Sequence, residues 1–248
     1  MAYMTTRRSR PGRPRHVPDS GTASPRDQIL DAAARLFVSQ GFAATSTREI
    51  ADQVGIRQAS LYYHFAGKDE ILVELLRKSV RPTTDKVDKI LNQVPPLDYE
   101  TALYLLVLVD VRTLADVDHN VGMLYMLPDV TNGEVYTEFR EEHEELAAAY
   151  ADLASKVASE KVLEGVSLKQ LGNMLIQQVE GVIGMRAEMI TKDAVRRITC
   201  PEAWAIASSC LRICGVSQDK IQAANAVAVD MLDDFLEDRV RELADKAG

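Results

Sequence analysis

Between Thr47 and Lys68 lie the side chains of this sequence best suited to chemistry, and that chemistry is recognition rather than bond making. Thr47, Ser60, Tyr62 and Tyr63 carry hydroxyls, Gln58 an amide, Arg48 and Arg57 guanidinium groups, His64 an imidazole and Lys68 an ammonium. An amide can pair with adenine through two hydrogen bonds, and a guanidinium can fork onto guanine O6 and N7. Hydroxyls, imidazole and ammonium suit phosphate, which fixes register without reading sequence. The chain has no Gly-x-Ser-x-Gly, no glycine-rich phosphate loop and no His-Glu-x-x-His. An enzyme is therefore the weakest reading, and no catalytic residue is expected.

Those residues need short, rigid elements to aim them. Ser46-Thr47-Arg48-Glu49 has the Ser-x-x-Glu form of a capping box, followed by Ile50, Ala51 and Val54 on one face and Gly55 as a stop. A third helix follows from about Arg57 to His64, with Leu61 and Phe65 turned inward and Gly67 after it. Upstream, Ile29, Leu30, Ala33, Leu36 and Phe37 form the stripe of a first helix that begins at Pro25 and stops at Gly41. Two short helices joined at Gly55 make a helix-turn-helix, with Gln58, Ala59 and Ser60 at the N-terminal edge of the second. Lys68 to Val80 reads as a fourth helix, ended by Pro82, that links this head to the rest.

Charge divides the same way. Residues 1–80 hold 12 Lys and Arg against 8 Asp and Glu, a net +4, whereas the remainder nets −12 within an overall −8. A basic head on an acidic body fits a nucleic-acid partner at one end only. Residues 1–24 are rich in Arg, Pro, Ser, Thr and Gly and poor in large apolar residues, the composition of a disordered arm. Arg7, Arg8, Arg10, Arg13 and Arg15 lie there, and Gly12-Arg13-Pro14 resembles the core of an AT-hook, which lays Arg into narrow minor grooves. The alternative is a nonspecific basic tail.

The run Gly55-Ile56-Arg57-Gln58-Ala59-Ser60-Leu61-Tyr62-Tyr63-His64-Phe65, with Gly67-Lys68-Asp69-Glu70 after it, resembles the TetR family signature, and the resemblance extends from about Arg26 to Lys78. It implies an all-α chain, with an N-terminal three-helix helix-turn-helix DNA-binding domain over 25–80 and a larger helical ligand-binding and dimerisation domain over 85–246. It also implies a homodimer on a near-palindromic operator of double-stranded DNA, released when a small molecule enters the body and swings the fourth helix. Thr47, Tyr62, Tyr63, His64 and Lys68 match family positions that mostly touch phosphate, leaving Arg48 and Gln58 to read bases. Arg48 meeting only phosphate, and Tyr62 or Tyr63 packing into the head, are the alternatives. Arg57 departs from the family's usual small capping residue, since it cannot cap a helix as Ser would.

In the body, helices are expected near 86–93, 98–117, 120–128, 134–160, 167–191, 201–214 and 218–245. The second of these is unusually apolar, yet Asp110 lies on its stripe with Leu103, Leu106, Val107 and Leu114. A carboxylate there must be paired, with Arg112 or Arg186 as candidates, or hydrated, or else it contacts a ligand. Met123, Tyr125, Met126, Met174, Gln178 and Trp204 complete a candidate lining for a largely apolar effector, with core packing as the alternative for each. Ser167-x-x-Gln170 caps the helix at 167–191, which is apolar on more than one face. That helix and the alanine-rich one at 218–245 resemble the family's four-helix dimer interface, with burial inside one monomer as the alternative.

Other features exclude more than they assign. With 46% hydrophobic residues and 27% charged, the composition is that of an ordinary soluble protein, and no apolar run approaches the roughly 20 residues of a membrane span. The basic N-terminus has no apolar stretch of a secretory signal, so the expected location is cytoplasmic, with no membrane partner. Cys200, Cys210 and Cys214 form no CxxC pair, and core packing suits them better than redox or metal chemistry. His119 and His143 beside Glu141, Glu142, Glu144 and Glu145 read as a solvated face rather than a metal site. No metal or cofactor is expected. A ligand-binding or scaffolding protein without sequence-specific DNA binding is the remaining rival.

Overall fold

The computed structural model describes residues 24–116, 118–133, 135–187 and 197–245, and every regular element among them is helical. Helix α1 (Pro25–Gln40) is capped by Ser24, whose side chain accepts from the Asp27 N–H, and Pro25 takes a first-turn place where its missing N–H costs nothing. Helix α2 (Thr47–Val54) opens with the expected reciprocal cap. Ser46 Oγ accepts from the Glu49 N–H at 3.2 Å, and Glu49 Oε2 accepts from the Ser46 N–H at 2.8 Å. Gly55 then turns left-handed at φ 77°, a conformation that favours glycine, and its N–H closes the helix onto Ala51 and Asp52. Helix α3 (Gln58–His64) follows. Ile29, Leu30, Ala33 and Phe37 of α1, Ile50 and Ala51 of α2, and Leu61 with Phe65 beside it are all buried in one small core.

Helix α4 (Lys68–Thr84) runs through Pro82 instead of ending before it. The proline removes one bond, to the carbonyl of Lys78, but Lys78 and Pro82 both face solvent, so water satisfies what the helix loses. The inner face, with Leu72, Leu76, Val80 and Thr83 buried, carries the helix on for another turn. Arg26 of α1 pairs with Glu74 of α4 at 2.7 Å and lies 4.5 Å over the Phe65 ring, tying α4 to the head.

Beyond α5 (Val87–Gln93), helix α6 (Tyr99–Asp116) is the axis of the body: every residue from Thr101 to Val111 is buried. A helix apolar all round must be enclosed. Helices α8 (Val135–Val157), α10 (Leu168–Ala187), α11 (Cys200–Ile213), α12 (Gln218–Asp245) and the end of α4 surround it. Helices α8 and α10 approach closely at Gly172, where a Cβ would stand 2.6 Å from the Ala147 carbonyl oxygen.

Two expected helices differ. The segment at 120–128 is a run of 3₁₀ turns, Asp118–Met126, interrupted by left-handed His119 and Asn120, followed by short α7 (Pro128–Thr131). Pro128 drives Leu127 into extended backbone, which ends any helix there. The helix expected over 134–160 stops at Val157 because the Ser159 N–H donates to the Cys214 carbonyl at 2.9 Å, and α9 (Glu160–Leu163) restarts after it. Thr199 and Glu202 form another reciprocal cap, which starts α11.

Candidate functional site

The head presents one polar face. Arg48, Arg57, Gln58, Ala59, Ser60, Tyr62 and Tyr63 are exposed, and Thr47 and His64 are half-buried. Tyr63, 87% exposed, stacks edge-on against His64, and Tyr62 is 49% exposed, so neither packs into the head core. Arg48 approaches Asp52 only at 3.9 Å. Arg57 occupies the N-cap of α3 without a side-chain capping bond, as its chemistry requires. On this face Gln58 Nε2 donates to Thr47 Oγ1 at 3.0 Å, and the Tyr62 hydroxyl lies 3.2 Å from the same oxygen. Three side chains from α2 and α3 thus share one hydroxyl.

Lys68 is placed differently from the others. Its ammonium donates to the carbonyls of Phe42, Thr45 and Ala43 at 3.0, 3.1 and 3.4 Å and lies 4.5 Å over the Phe42 ring. All three of its hydrogens hold the turn between α1 and α2. Arg7, Arg8, Arg10, Arg13 and Arg15 lie outside the described residues.

In the body, Asp110 is buried, and neither arginine suggested by the sequence is its partner. Tyr150 of α8 donates to Oδ2 at 2.8 Å and Thr83 of α4 donates to Oδ1 at 3.1 Å. Arg186 instead donates to the Leu114 carbonyl at 2.6 Å. Burial pushes the Asp110 carboxyl up to about 7, against the hydrogen bonds from Tyr150 and Thr83. Nearby, His143 of α8 lies 2.6 Å from Glu180 of α10. Burial opposes protonation of that imidazole, yet the Glu180 hydrogen bond prevails and its pKa is raised. Tyr125 is buried within reach of the same charges and its hydroxyl is held far above the usual range, first by burial. Elements α4, α6, α8, α10 and the 3₁₀ segment therefore meet at one polar cluster. Tyr150 escaped the sequence reading and His143 was read only as part of a solvated face, although their spacing of seven puts both on one face of α8, the signal that could have joined them.

The proposed effector residues divide. Asp110 and Tyr125 are interior and Met123 is half-buried, whereas Met126, Met174 and Trp204 are 55%, 41% and 37% exposed and Gln178 is exposed too. On α10 the buried positions are Leu171, Gly172, Leu175, Ile176, Val179, Val182, Ile183 and Arg186, so Met174 and Gln178 fall on the outer side with Gly181 and Gly184. A groove of about 350 Å³ between α8 and α10, lined by Glu144, Ala147, Ala148, Ala151, Lys169 and Asn173, includes none of them. On α12, Ala224 and Ala228 are buried inside the monomer, where the helix packs on α6, and Ala223 and Ala226 are exposed.

The remaining candidates are structural. Cys210 and Cys214 are buried, their thiols pushed up to about 12 and about 11 by burial, so neither supplies a thiolate near neutrality. His119 lies 2.7 Å from Asp31 of α1, and the Asp129 carboxylate accepts from the Ala43 N–H at 3.1 Å, so both join body to head. Among the described residues no group of His, Cys, Asp and Glu is arranged to hold a metal ion, and no helix is long and apolar enough to cross a membrane.

Comparison with known proteins puts this geometry in context. Residues 29–75 match the family described as bacterial regulatory proteins, tetR family. The HTH-type transcriptional repressor KstR2 of Mycolicibacterium smegmatis is 38% identical over 87 residues, 35% of this chain and 42% of that protein. KstR2 of Rhodococcus jostii is 34% identical over 131 residues, 49% of this chain and 63% of that protein. The chain thus aligns with less than two thirds of the length of either curated relative. The crystal structure of AmtR from Mycobacterium smegmatis superposes with a TM-score of 0.70 at 35% identity, covering 86% of this chain and 98% of that one. A likeness that runs through head and body alike, with the family match seated on the helices that carry Arg48, Gln58 and Tyr62, establishes that the chain belongs to the TetR family of bacterial regulators.

Proposed function

We propose that the chain is a transcriptional repressor that binds a near-palindromic operator as a homodimer and leaves it when a small, largely apolar effector enters the body. The observation that carries this reading is the exposed face of α2 and α3, where Arg48 and Gln58 are free of the core and flanked by hydroxyls. A short helix that presents such groups at its N-terminal edge fits the roughly 12 Å major groove. Residues 25–80 form the reading unit, 85–246 the sensing and dimerising unit, and the arginines of 1–24 add a minor-groove anchor. Two curated relatives are named repressors, which favours repression over activation.

The dimer face is the outer surface of α10, continued by α11. It carries Met174, Gln178, Gly181 and Gly184 with Trp204, whereas the buried alanines of α12 are committed to α6. Twofold pairing doubles a reading surface too small for one operator. The effector is sensed at the polar cluster around Asp110 and Tyr125, because Thr83 joins that cluster to α4, the helix that leads to the head. An effector acts by favouring the body arrangement in which the two heads leave groove register.

Titration of labelled upstream DNA against protein at several salt concentrations tests the core of this reading. Phosphate neutralisation gives a steep negative slope of log affinity on log salt, and the preferred sequence should outlast competitor DNA. A flat slope, or no preference among sequences, overturns it and favours a scaffold or ligand carrier.

A further inference from the structure

We propose that Thr47 is a positioning residue for base specificity: its hydroxyl fixes which way the Gln58 amide faces the DNA. The inference rests on the reading of Gln58 as a base contact and goes beyond it, because Thr47 then acts through a neighbour as well as on phosphate. A glutamine amide is nearly symmetric in shape but not in hydrogen bonding, with an acceptor on one side and a donor on the other. Turned over, it offers the opposite pattern to the same base edge. An exposed Gln58 on α3 could sample both orientations unless something chooses between them.

Thr47 makes that choice. Gln58 Nε2 donates to Thr47 Oγ1 at 3.0 Å, and the flipped amide would bring Oε1 there instead. The same Oγ1 lies 3.2 Å from the Tyr62 hydroxyl, so a second partner on α3 competes for the threonine's single hydrogen. When Tyr62 takes that hydrogen, Thr47 has only lone pairs left for Gln58 and accepts only the Nε2 end. Thr47 itself is held in place as the first residue of α2, directly behind the reciprocal cap of Ser46 and Glu49. One Nε2 hydrogen is used, leaving Oε1 and the other hydrogen for the two-bond pattern that adenine N6 and N7 complete.

The test uses the full-length chain and selection of bound duplexes from a randomised DNA pool, followed by sequencing, for wild type, Thr47→Val, Thr47→Ser, Tyr62→Phe and Gln58→Ala. Thr47→Val keeps the shape and removes the hydrogen bonds. It should lower discrimination at the base pair that Gln58→Ala identifies by roughly fivefold or more, leaving preference at other positions unchanged. Thr47→Ser should restore it, and Tyr62→Phe should relax the same base pair more weakly. A uniform loss of affinity across all sequences with Thr47→Val, at unchanged preference, makes Thr47 a phosphate contact only and overturns the inference. Preferences of Gln58→Ala identical to wild type overturn the base-reading role on which it rests. Thermal melts of each variant identify a folding defect, and then the Thr47→Ser and Tyr62→Phe profiles decide: preserved discrimination supports the inference in the first and contradicts it in the second.

Discussion

Arg48 and Asp110 are the two side chains whose surroundings make the sharpest statements. Arg48 is 81% exposed at its side chain, on the first turn of α2, with a loose 3.9 Å approach to Asp52 as its ion pair. If it forks onto guanine, Arg48→Ala should weaken binding to the preferred site by about 1–3 kcal/mol and spare unrelated DNA. Parallel titrations on both duplexes measure this, and an equal loss on both assigns Arg48 to phosphate. Asp110 makes a statement about stability. Its folded-state pKa, raised to about 7 from 3.8, means that the folded chain keeps a proton that the unfolded chain gives up. The stabilising effect is whole below about pH 4 and is lost as pH rises towards 7, by an amount on the order of 4 kcal/mol at most. Denaturant melts from pH 4.5 to 8 should show this decline in the wild type and a shallower one in Asp110→Asn, where His143, whose pKa is also raised, still titrates. Equal slopes in the two proteins would mean that the carboxyl is already ionised when folded.

At the scale of elements, backbone conformation rather than contact decides what two glycines of the head do. Gly55 and Gly67 each have open space where a Cβ would stand, so neither is required for room. Gly55 lies at φ 77° between α2 and α3, where an alanine is strained, and Gly55→Ala should destabilise the head by about 1–2 kcal/mol. Gly67 is extended at the N-cap of α4, a place any residue can take. There, Gly67→Ser adds a capping hydroxyl and should stabilise by a few tenths of a kcal/mol. Opposite shifts of the two melting curves check both. The caps at Ser46 and Ser167 were legible because their partners lie three residues away. The break after Val157 was not, because the group that draws Ser159 out of the helix, the Cys214 carbonyl, is 55 residues distant in sequence.

For the whole molecule, the division of charge and the division of surfaces run together. The basic head offers hydrogen-bonding groups, and the acidic body exposes Met174, Gly181 and Gly184 of α10 and Trp204 of α11. Head and body are joined through α4, where Arg77 and Arg81 reach Glu142 of α8 at 2.7 and 3.3 Å, and through His119 with Asp31. If the outer face of α10 joins two copies, Gly181→Glu should yield a monomer by sedimentation without unfolding it, since a Cβ there meets nothing among the described residues. Its affinity for a two-site operator should fall with the dimer. An unchanged dimer mass would move the interface off this helix.

What the amino-acid sequence determined by itself is what short range governs. Capping boxes, glycine stops and apolar stripes act within a few residues, and they were enough to place the three-helix head, its exposed polar face and most helices of the body. The tertiary structure alone decided what depends on residues far apart in the chain: that Asp110 is held by Thr83 and Tyr150 and not by an arginine, and that Lys68 is engaged by the turn at Phe42 to Thr45. It also buried Ala224 and Ala228 of α12 within the monomer and left Met174 and Trp204 at the surface. The physical reason is common to all of these. A periodic pattern says that a face is apolar, but which neighbour covers that face, and which polar group meets a buried charge, is fixed only when distant helices close around α6.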